Sequence, residues 1–125
     1  MRRLSGRATH FAPEPKEYAV NRYAFEAERH YGILDAHLAK RHYMLGDTYT
    51  LVDMAVWGWA RAVPHALGAD AYEKLPNVKR LLDTINARPA AQRAEALKAR
   101  HAFKTEMDDE ARKAMFPQNE RLAAA

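Results

Sequence analysis

The sequence has no cysteine in its 125 residues, and this absence excludes several kinds of chemistry. A disulfide framework, a thiolate metal site and a thiol nucleophile each require cysteine sulfur. If sulfur chemistry takes place on this protein, a bound ligand therefore has to supply the sulfur.

Long apolar runs are also missing. The densest apolar stretch covers residues 54–60, contains a glycine and stops at Arg61. A helix that crosses a bilayer needs about 20 apolar residues, so this stretch is interpreted as part of a protein core. The basic residues at the N-terminus are not followed by the apolar segment that a secretory signal has. We therefore expect a cytoplasmic protein with no membrane partner.

Positive charge is in modest excess, with a net charge of +4 and a pI near 9.5. Acidic residues are interleaved with basic ones along most of the chain. The densest basic stretch, residues 98–104, has only Lys98, Arg100 and Lys104 as cations besides His101. Nucleic-acid interfaces combine a denser basic patch with aromatic stacking residues. We expect no nucleic-acid partner.

Metal-binding and catalytic motifs are absent as well. The six histidines stand at positions 10, 30, 37, 42, 65 and 101, and no two of them form a His-x-x-x-His ligand pair. The sequence has no Gly-rich phosphate loop and no nucleophile motif. We expect no bound metal, and the motifs indicate no catalytic residue.

What the sequence does contain is helical periodicity. After a proline-containing break at residues 12–17, apolar residues recur at spacings of three and four, which predicts a helix of about 22 residues ending near Arg41. Its apolar residues are Val20, Ala24, Ala27, Tyr31, Leu34 and Leu38. Further helices are predicted over 76–88, 90–103 and 106–115. No period-two alternation or hairpin signal is present, so the predicted fold is all-α with about five helices.

The strongest local signal lies between Thr50 and Asp53. Thr50 can cap a helix N-terminus by accepting a backbone N–H, while the Asp53 carboxylate reaches back to the N–H of Thr50. This arrangement is a capping box with aspartate in place of the usual glutamate. It predicts a helix that begins at Leu51, and Pro64 is expected to end or kink that helix.

The helix that follows the capping box is apolar around nearly its whole circumference between residues 51 and 63. A helix of this composition is buried on all sides. We therefore predict a central buried helix near residues 50–63, in which Trp57 and Trp59 fill the core.

Arg22 is the residue whose role the patterns leave open. It can form a solvated i,i+4 ion pair with Glu26, worth ~0.3–0.5 kcal/mol. Alternatively, its planar guanidinium can bind a carboxylate of a ligand through two hydrogen bonds. Spacing alone favours the ion pair.

Several segments of the sequence are together similar to a known family. They are Tyr49-Thr50-Leu51-Val52-Asp53-Met54-Ala55, Tyr18-Ala19-Val20-Asn21-Arg22-Tyr23, His10-Phe11-Ala12-Pro13-Glu14, Leu75-Pro76-Asn77-Val78-Lys79-Arg80 and Ala87-Arg88-Pro89-Ala90. They resemble the C-terminal helical domain of glutathione transferases, most like the bacterial Nu-class, disulfide-bond reductase-like branch. The similarity covers about residues 8–116, nearly the whole chain. One departure is Gly58, where that branch usually has proline.

The resemblance has consequences for the domain organisation. In members of the family, an N-terminal thioredoxin-like domain binds glutathione and supplies the group that stabilises its thiolate. We expect residues 1–125 to form one helical domain, with that N-terminal domain and its catalytic residue absent from this chain.

The resemblance also implies a function and site residues. Arg22 would bind a carboxylate of glutathione, and His10 and Phe11 would lie near the acceptor pocket, whereas Thr50 and Asp53 are structural only. The implied reaction is attack of the glutathione thiolate on a small electrophile or a disulfide, with glutathione as cosubstrate and no metal. A homodimer is expected, and this chain alone is expected to be inactive.

A non-catalytic interaction module is the alternative to an enzyme. Transferase-like helical domains also occur as docking units in larger assemblies. The residues of this sequence are compatible with both functions.

Overall fold

The computed structural model describes residues 16–102, 104 and 106–119, and its architecture is all-α. These ranges contain six α-helices and no strand, apart from an isolated bridge between Tyr43 and Gly46. The helices are α1 (Glu17–Leu38), α2 (Leu51–Ala60), α3 (Val63–Leu67), α4 (Pro76–Asn86), α5 (Pro89–Ala99) and α6 (Asp109–Met115). Short 3-10 helices lie at Ala71–Lys74 and Pro117–Asn119. The predicted fold class is confirmed, and the short α3 is additional to the five predicted helices.

α1 is the longest helix, with 22 residues, and one side of its C-terminal half packs on the core. Leu38 is buried, and Tyr31 and Leu34 pack against the core beside it, as the predicted apolar stripe requires. The helix ends at Leu38, earlier than the predicted Arg41. Neither α1 nor any other helix in the described part of the chain is long and apolar enough to cross a membrane.

The core is built around α4, which packs against α1, α2 and α5. The buried core residues are Leu38, Ala60, Val63, Ala71, Leu75, Val78, Leu81, Leu82, Ile85 and Ala91. Four of them, Val78, Leu81, Leu82 and Ile85, form the inward side of α4. Burying one such side chain stabilises the fold by about 1.5–3 kcal/mol, so α4 is the centre of the hydrophobic core.

The N-terminus of α4 is capped by a side chain from α1. Leu75, which precedes the helix, provides no side-chain cap. The Asp35 carboxylate instead accepts the backbone N–H groups of Asn77 and Val78 at 2.7 and 2.9 Å, and the Asn77 amide at 2.9 Å. Asp35 therefore satisfies N–H groups that have no partner within α4.

The C-terminal end of α1 is capped in return by Arg80 of α4. Its guanidinium donates to the carbonyl of Leu38 at 2.9 Å, and to those of Arg41 and His42 at 2.8 and 3.2 Å. A cation also interacts favourably with the negative end of a helix dipole. The two helices thus fix each other through Asp35 and Arg80 as well as through the core.

The N-terminus of α2 has the capping box between Thr50 and Asp53 that the sequence predicts. The Thr50 hydroxyl accepts the N–H of Val52 at 3.3 Å, and the Asp53 carboxylate accepts the N–H of Thr50 at 2.8 Å. Asp53 is completely buried, and its other oxygen accepts the N–H of Met44 at 2.8 Å. The carboxylate therefore joins the helix start to the preceding loop as well as capping it.

Two tyrosine hydroxyls close the C-terminus of α2. Tyr31 in α1 donates to the carbonyl of Trp59 at 3.2 Å, and Tyr72 in the first 3-10 helix donates to that of Ala60 at 2.8 Å. The last carbonyls of a helix have no partner inside it. Tyr72 supplies a partner for the Ala60 carbonyl, whereas the Trp59 carbonyl accepts the backbone N–H of Ala62 at 3.0 Å as well as the Tyr31 hydroxyl. Burial raises the pKa of Tyr31, and burial together with the neighbouring Tyr31 raises the pKa of Tyr72.

Pro64 breaks the helical path, as predicted. α2 ends at Ala60, and the chain resumes as α3 at Val63, with Pro64 in the first turn of the new helix. α3 ends at Leu67, and Gly68, which follows it, has a φ of 105° in the region that favours glycine. The turn between α3 and the first 3-10 helix therefore requires this residue type.

The outward face of α2 contradicts two predictions about this helix. Leu51 is 76% exposed and Trp59 is 66% exposed, with Val52 and Met54 also exposed. Trp57, on the inward side, packs against the core as predicted. Among the described helices, α4 packs against α2 on this inward side. The predictions that α2 is buried on all sides and that Trp59 fills the core are therefore wrong.

The C-terminal helices differ slightly from their predicted bounds. In α5, which ends at Ala99 rather than residue 103, Ala91 is buried. α6 begins after Asp108, whose carboxylate accepts the N–H of Ala111 at 2.9 Å. This N-cap places the start of the helix later than the predicted residue 106.

Replacing Asp53 should destabilise the fold more than replacing Thr50. Thr50→Ala removes one N-cap acceptor, at a cost of about 0.5–2 kcal/mol. Asp53→Ala leaves the N–H groups of Thr50 and Met44 without an acceptor, and each unsatisfied buried group costs about 1–3 kcal/mol. Urea unfolding measures both changes, and Asp83→Ala, which removes an exposed ion pair with Lys79, is the control with the smallest expected effect. Equal losses for the two variants would contradict the dual role of Asp53.

Arg80→Met should lower the free energy of unfolding by about 1–3 kcal/mol, because charge-assisted bonds to the Leu38 carbonyl and to two carbonyls just after α1 are lost. Lys79→Met is the matched control, since Lys79 forms an exposed pair with Asp83 on the same helix. Exposed pairs contribute about 0–1 kcal/mol. Thermal unfolding of both variants tests the difference, and an Arg80 variant no less stable than the Lys79 variant would show that the capping bonds are unimportant.

Candidate functional site

Arg22 lies in the second turn of α1, and its side chain is exposed. It forms no hydrogen bond or ion pair with any residue that the structure describes. Glu26, which the sequence offers as its partner, binds Arg29 instead, with 3.1 Å between a carboxylate oxygen and Nε. The interpretation of Arg22 as the ion-pair partner of Glu26 is therefore wrong.

Aromatic side chains flank Arg22 on the same side of α1. Tyr18 and Phe25 stand four residues before and three residues after it, spacings that place all three on one helix face. Tyr18 is 82% exposed and Phe25 is 61% exposed. We call Tyr18, Arg22 and Phe25 the outer face of α1.

The outer face of α1 is suited to binding an anion but not to catalysis. A guanidinium with no intramolecular partner can donate two parallel hydrogen bonds to a carboxylate. The flanking rings add apolar surface for the rest of such a ligand. The face has no general base or nucleophile. No three histidine or carboxylate side chains come together as metal ligands in the described ranges.

The other predicted site residues are not brought together with Arg22. Thr50 and Asp53 form the start of α2, where the buried carboxylate of Asp53 accepts the N–H groups of Thr50 and Met44 and the Thr50 hydroxyl. This arrangement agrees with the structural role predicted for them. His10 and Phe11 lie outside the described residues.

A separate surface depression of about 600 Å³ lies between the end of α2, α4 and α5. Its lining residues are Arg61, Asn86, Ala91, Gln92, Glu95 and Ala96. The charged groups that line it are already engaged: Arg61 pairs with Glu95 and stacks on the Trp57 ring, 4.7 Å from its centroid. Asn86 accepts the indole N–H of Trp57 at 2.8 Å. The depression does not include Arg22.

Sequence reasoning missed the tertiary contacts that hold α1 in place. The start of α4 offers a signal, because Leu75-Pro76 has no side chain that can cap a helix, so an acceptor has to come from elsewhere. The sequence does not indicate that this acceptor is Asp35. The sequence around Tyr31 and Tyr72 likewise gives no indication that their hydroxyls bind the carbonyls at the end of α2.

Comparison with known proteins agrees with this architecture. Residues 6–89 match the family described as glutathione S-transferase, C-terminal domain. The disulfide-bond oxidoreductase YghU of Escherichia coli is 39% identical over 93 residues, which are 70% of this chain and 32% of the relative. The disulfide-bond oxidoreductase YfcG of the same organism is 34% identical over 86 residues, covering 68% of this chain and 39% of the relative.

A third relative comes from another bacterium. An uncharacterized GST-like protein of Streptococcus mutans is 39% identical over 90 residues, which are 67% of this chain and 34% of the relative. The chain thus spans about a third of the length of the relatives that it matches. With the family match extending over more than half of its residues and an all-helical fold, the chain belongs to the glutathione S-transferase C-terminal domain family.

Proposed function

We propose that this chain is the helical half of a glutathione-dependent enzyme, in which Arg22 binds a carboxylate of glutathione. The observation that carries the proposal is the exposed guanidinium of Arg22, which has no ion-pair partner among the described residues, whereas Arg29 pairs with Glu26. Charge-assisted hydrogen bonds from such a group are worth about 1.5–3 kcal/mol each. The Arg22 guanidinium can donate these hydrogen bonds to a ligand, because it donates none to the described residues of the fold.

The proposed chemistry uses the sulfur of glutathione, since the chain has no cysteine. The glutathione thiolate attacks one sulfur of a disulfide, a new sulfur–sulfur bond forms, and the other sulfur leaves as a thiolate. Two relatives are named disulfide-bond oxidoreductases, which supports a disulfide as the acceptor over another small electrophile. The group that stabilises the attacking thiolate would belong to a thioredoxin-like half.

The outward face of α2 supports the presence of such a second half. Between Leu51 and Ala60 the only charged residue is Asp53, and it points inward and is buried. An exposed helix face without charge is typical of a surface that another domain covers. We propose that the thioredoxin-like half packs there, and that this chain alone binds glutathione weakly and is inactive.

Several finer predictions accompany this proposal. His10 and Phe11 would contribute to the acceptor pocket, glutathione would be the cosubstrate, and the protein would form a homodimer in the cytoplasm. A non-catalytic interaction module is the alternative function, and the outward face of α2 would suit it equally well. The two functions differ at Arg22, which an interaction module does not need for binding glutathione.

Arg22→Ala should weaken glutathione binding at least tenfold, because hydrogen bonds of about 1.5–3 kcal/mol each are removed. The measurement is calorimetric titration of the chain joined to the N-terminal half of one of the relatives. Arg29→Ala is the matched control, since Arg29 stands two helical turns away and is already paired. It should leave the affinity unchanged.

Arg22→Lys adds a second comparison, because lysine keeps the charge but lacks the planar fork. It should bind glutathione with intermediate affinity. If Arg22→Ala and Arg29→Ala bind glutathione as tightly as the unmodified protein, the site assignment is wrong and the interaction module becomes the better interpretation.

A further inference from the structure

We infer that Tyr31 is the positioning residue for Arg22: by tying α1 to the last turn of α2, its hydroxyl fixes where the guanidinium points. This inference rests on the proposed function and deepens it. Tyr31 does not touch the ligand, and its effect on binding passes through the position of α1.

The Tyr31 hydroxyl is the first polar link from α1 to another helix, counted from the N-terminus within the described residues. It donates to the carbonyl of Trp59 at 3.2 Å. The links made by Asp35, by His37 to the Met44 carbonyl, and by Arg80 to the Leu38 carbonyl all lie later in α1.

The described contacts of α1 before Tyr31 that reach another element are apolar. From Glu17 to His30, Val20 is the one buried residue, and α1 also packs against α3. The ion pair of Arg29 with Glu26 and its contact with His30 remain within the helix and do not attach it to a neighbour. Among the described residues, the Tyr31 hydroxyl is therefore the polar contact nearest to Arg22 that joins α1 to another helix.

Helix geometry amplifies a displacement at Tyr31 before it reaches Arg22. Arg22 stands nine residues before Tyr31, about 14 Å along the helix axis, whereas the contacts of Asp35 lie only about 6 Å on the other side. If α1 pivots at Asp35, a shift at Tyr31 grows about threefold at Arg22. Bidentate recognition of a carboxylate is sensitive to such a shift.

Tyr72 provides a matched control for the chemistry of this bond. Its hydroxyl donates to the neighbouring carbonyl of Ala60 at 2.8 Å, at the same end of α2. Tyr72 belongs to the 3-10 helix Ala71–Lys74 and not to α1. Tyr31→Phe and Tyr72→Phe therefore each remove one hydroxyl bond to the end of α2, but only the bond of Tyr31 comes from α1.

Glutathione affinity of the joined two-domain protein gives the first readout. Tyr31→Phe should weaken binding about fivefold, the equivalent of one hydrogen bond, while Tyr72→Phe should leave it unchanged. In the Arg22→Ala background, Tyr31→Phe should have no additional effect, because the group that it positions is gone. In steady-state kinetics the loss should appear in KM for glutathione and not in kcat.

Amide hydrogen exchange of the 125-residue chain gives a second readout that does not depend on glutathione. Exchange within residues 17–30 should accelerate in Tyr31→Phe and not in Tyr72→Phe. Accelerated exchange together with an Arg22→Ala variant that binds normally would mean that the proposed function fails at Arg22. Equal binding and equal exchange in the two tyrosine variants, or additive losses with Arg22→Ala, would overturn the positioning role of Tyr31.

Discussion

The rest of the structure depends on how both ends of α2 are held by polar contacts. At its start, the buried Asp53 carboxylate binds the N–H groups of Thr50 and Met44, and at its end Tyr31 and Tyr72 bind the last carbonyls. A helix with both termini satisfied by neighbouring segments cannot rotate about its axis without losing these bonds. Its inward side therefore stays on α4, and its apolar outward face stays exposed.

The same contacts connect the core to the candidate site. The Tyr31 hydroxyl joins α1 to α2. Asp35 of α1 and Arg80 of α4 join the C-terminal part of α1 to α4, so the three helices form one framework. Arg22 extends from that framework with no hydrogen-bond or ion-pair partner in the part of the chain that the structure describes. We therefore propose that this domain supplies a helical framework and the anion-binding group of Arg22. Glutathione supplies the reactive sulfur, and the thioredoxin-like half supplies the group that activates it.

Local signals in the sequence predict much of this fold, because they depend on residues close together in the chain. The capping box of Thr50 and Asp53, the break at Pro64 and the inward side of α4 are all of this kind. The burial of α2 could not be predicted, because hydrophobic periodicity reports which faces are apolar and not which faces have a neighbour. Trp57 and Trp59 show the difference, since one packs on the core and the other is exposed.

The candidate site shows a second limit of sequence reasoning. Glu26 is within helical reach of both Arg22 and Arg29, so the spacing that favours an ion pair for Arg22 does not identify which arginine Glu26 binds. Only coordinates reveal that Glu26 binds Arg29 and leaves Arg22 available. The caps from Asp35 and Arg80 join residues about forty positions apart, and no local rule specifies such partners.

The most direct test is the environment of Trp59 in a Trp57→Phe variant, where it is the single tryptophan. If a thioredoxin-like half covers the outward face of α2, joining that half should shift the Trp59 emission to shorter wavelength and protect it from acrylamide quenching. Emission and quenching that stay the same, in a joined protein that still binds glutathione, would contradict the docking of the two halves through this face.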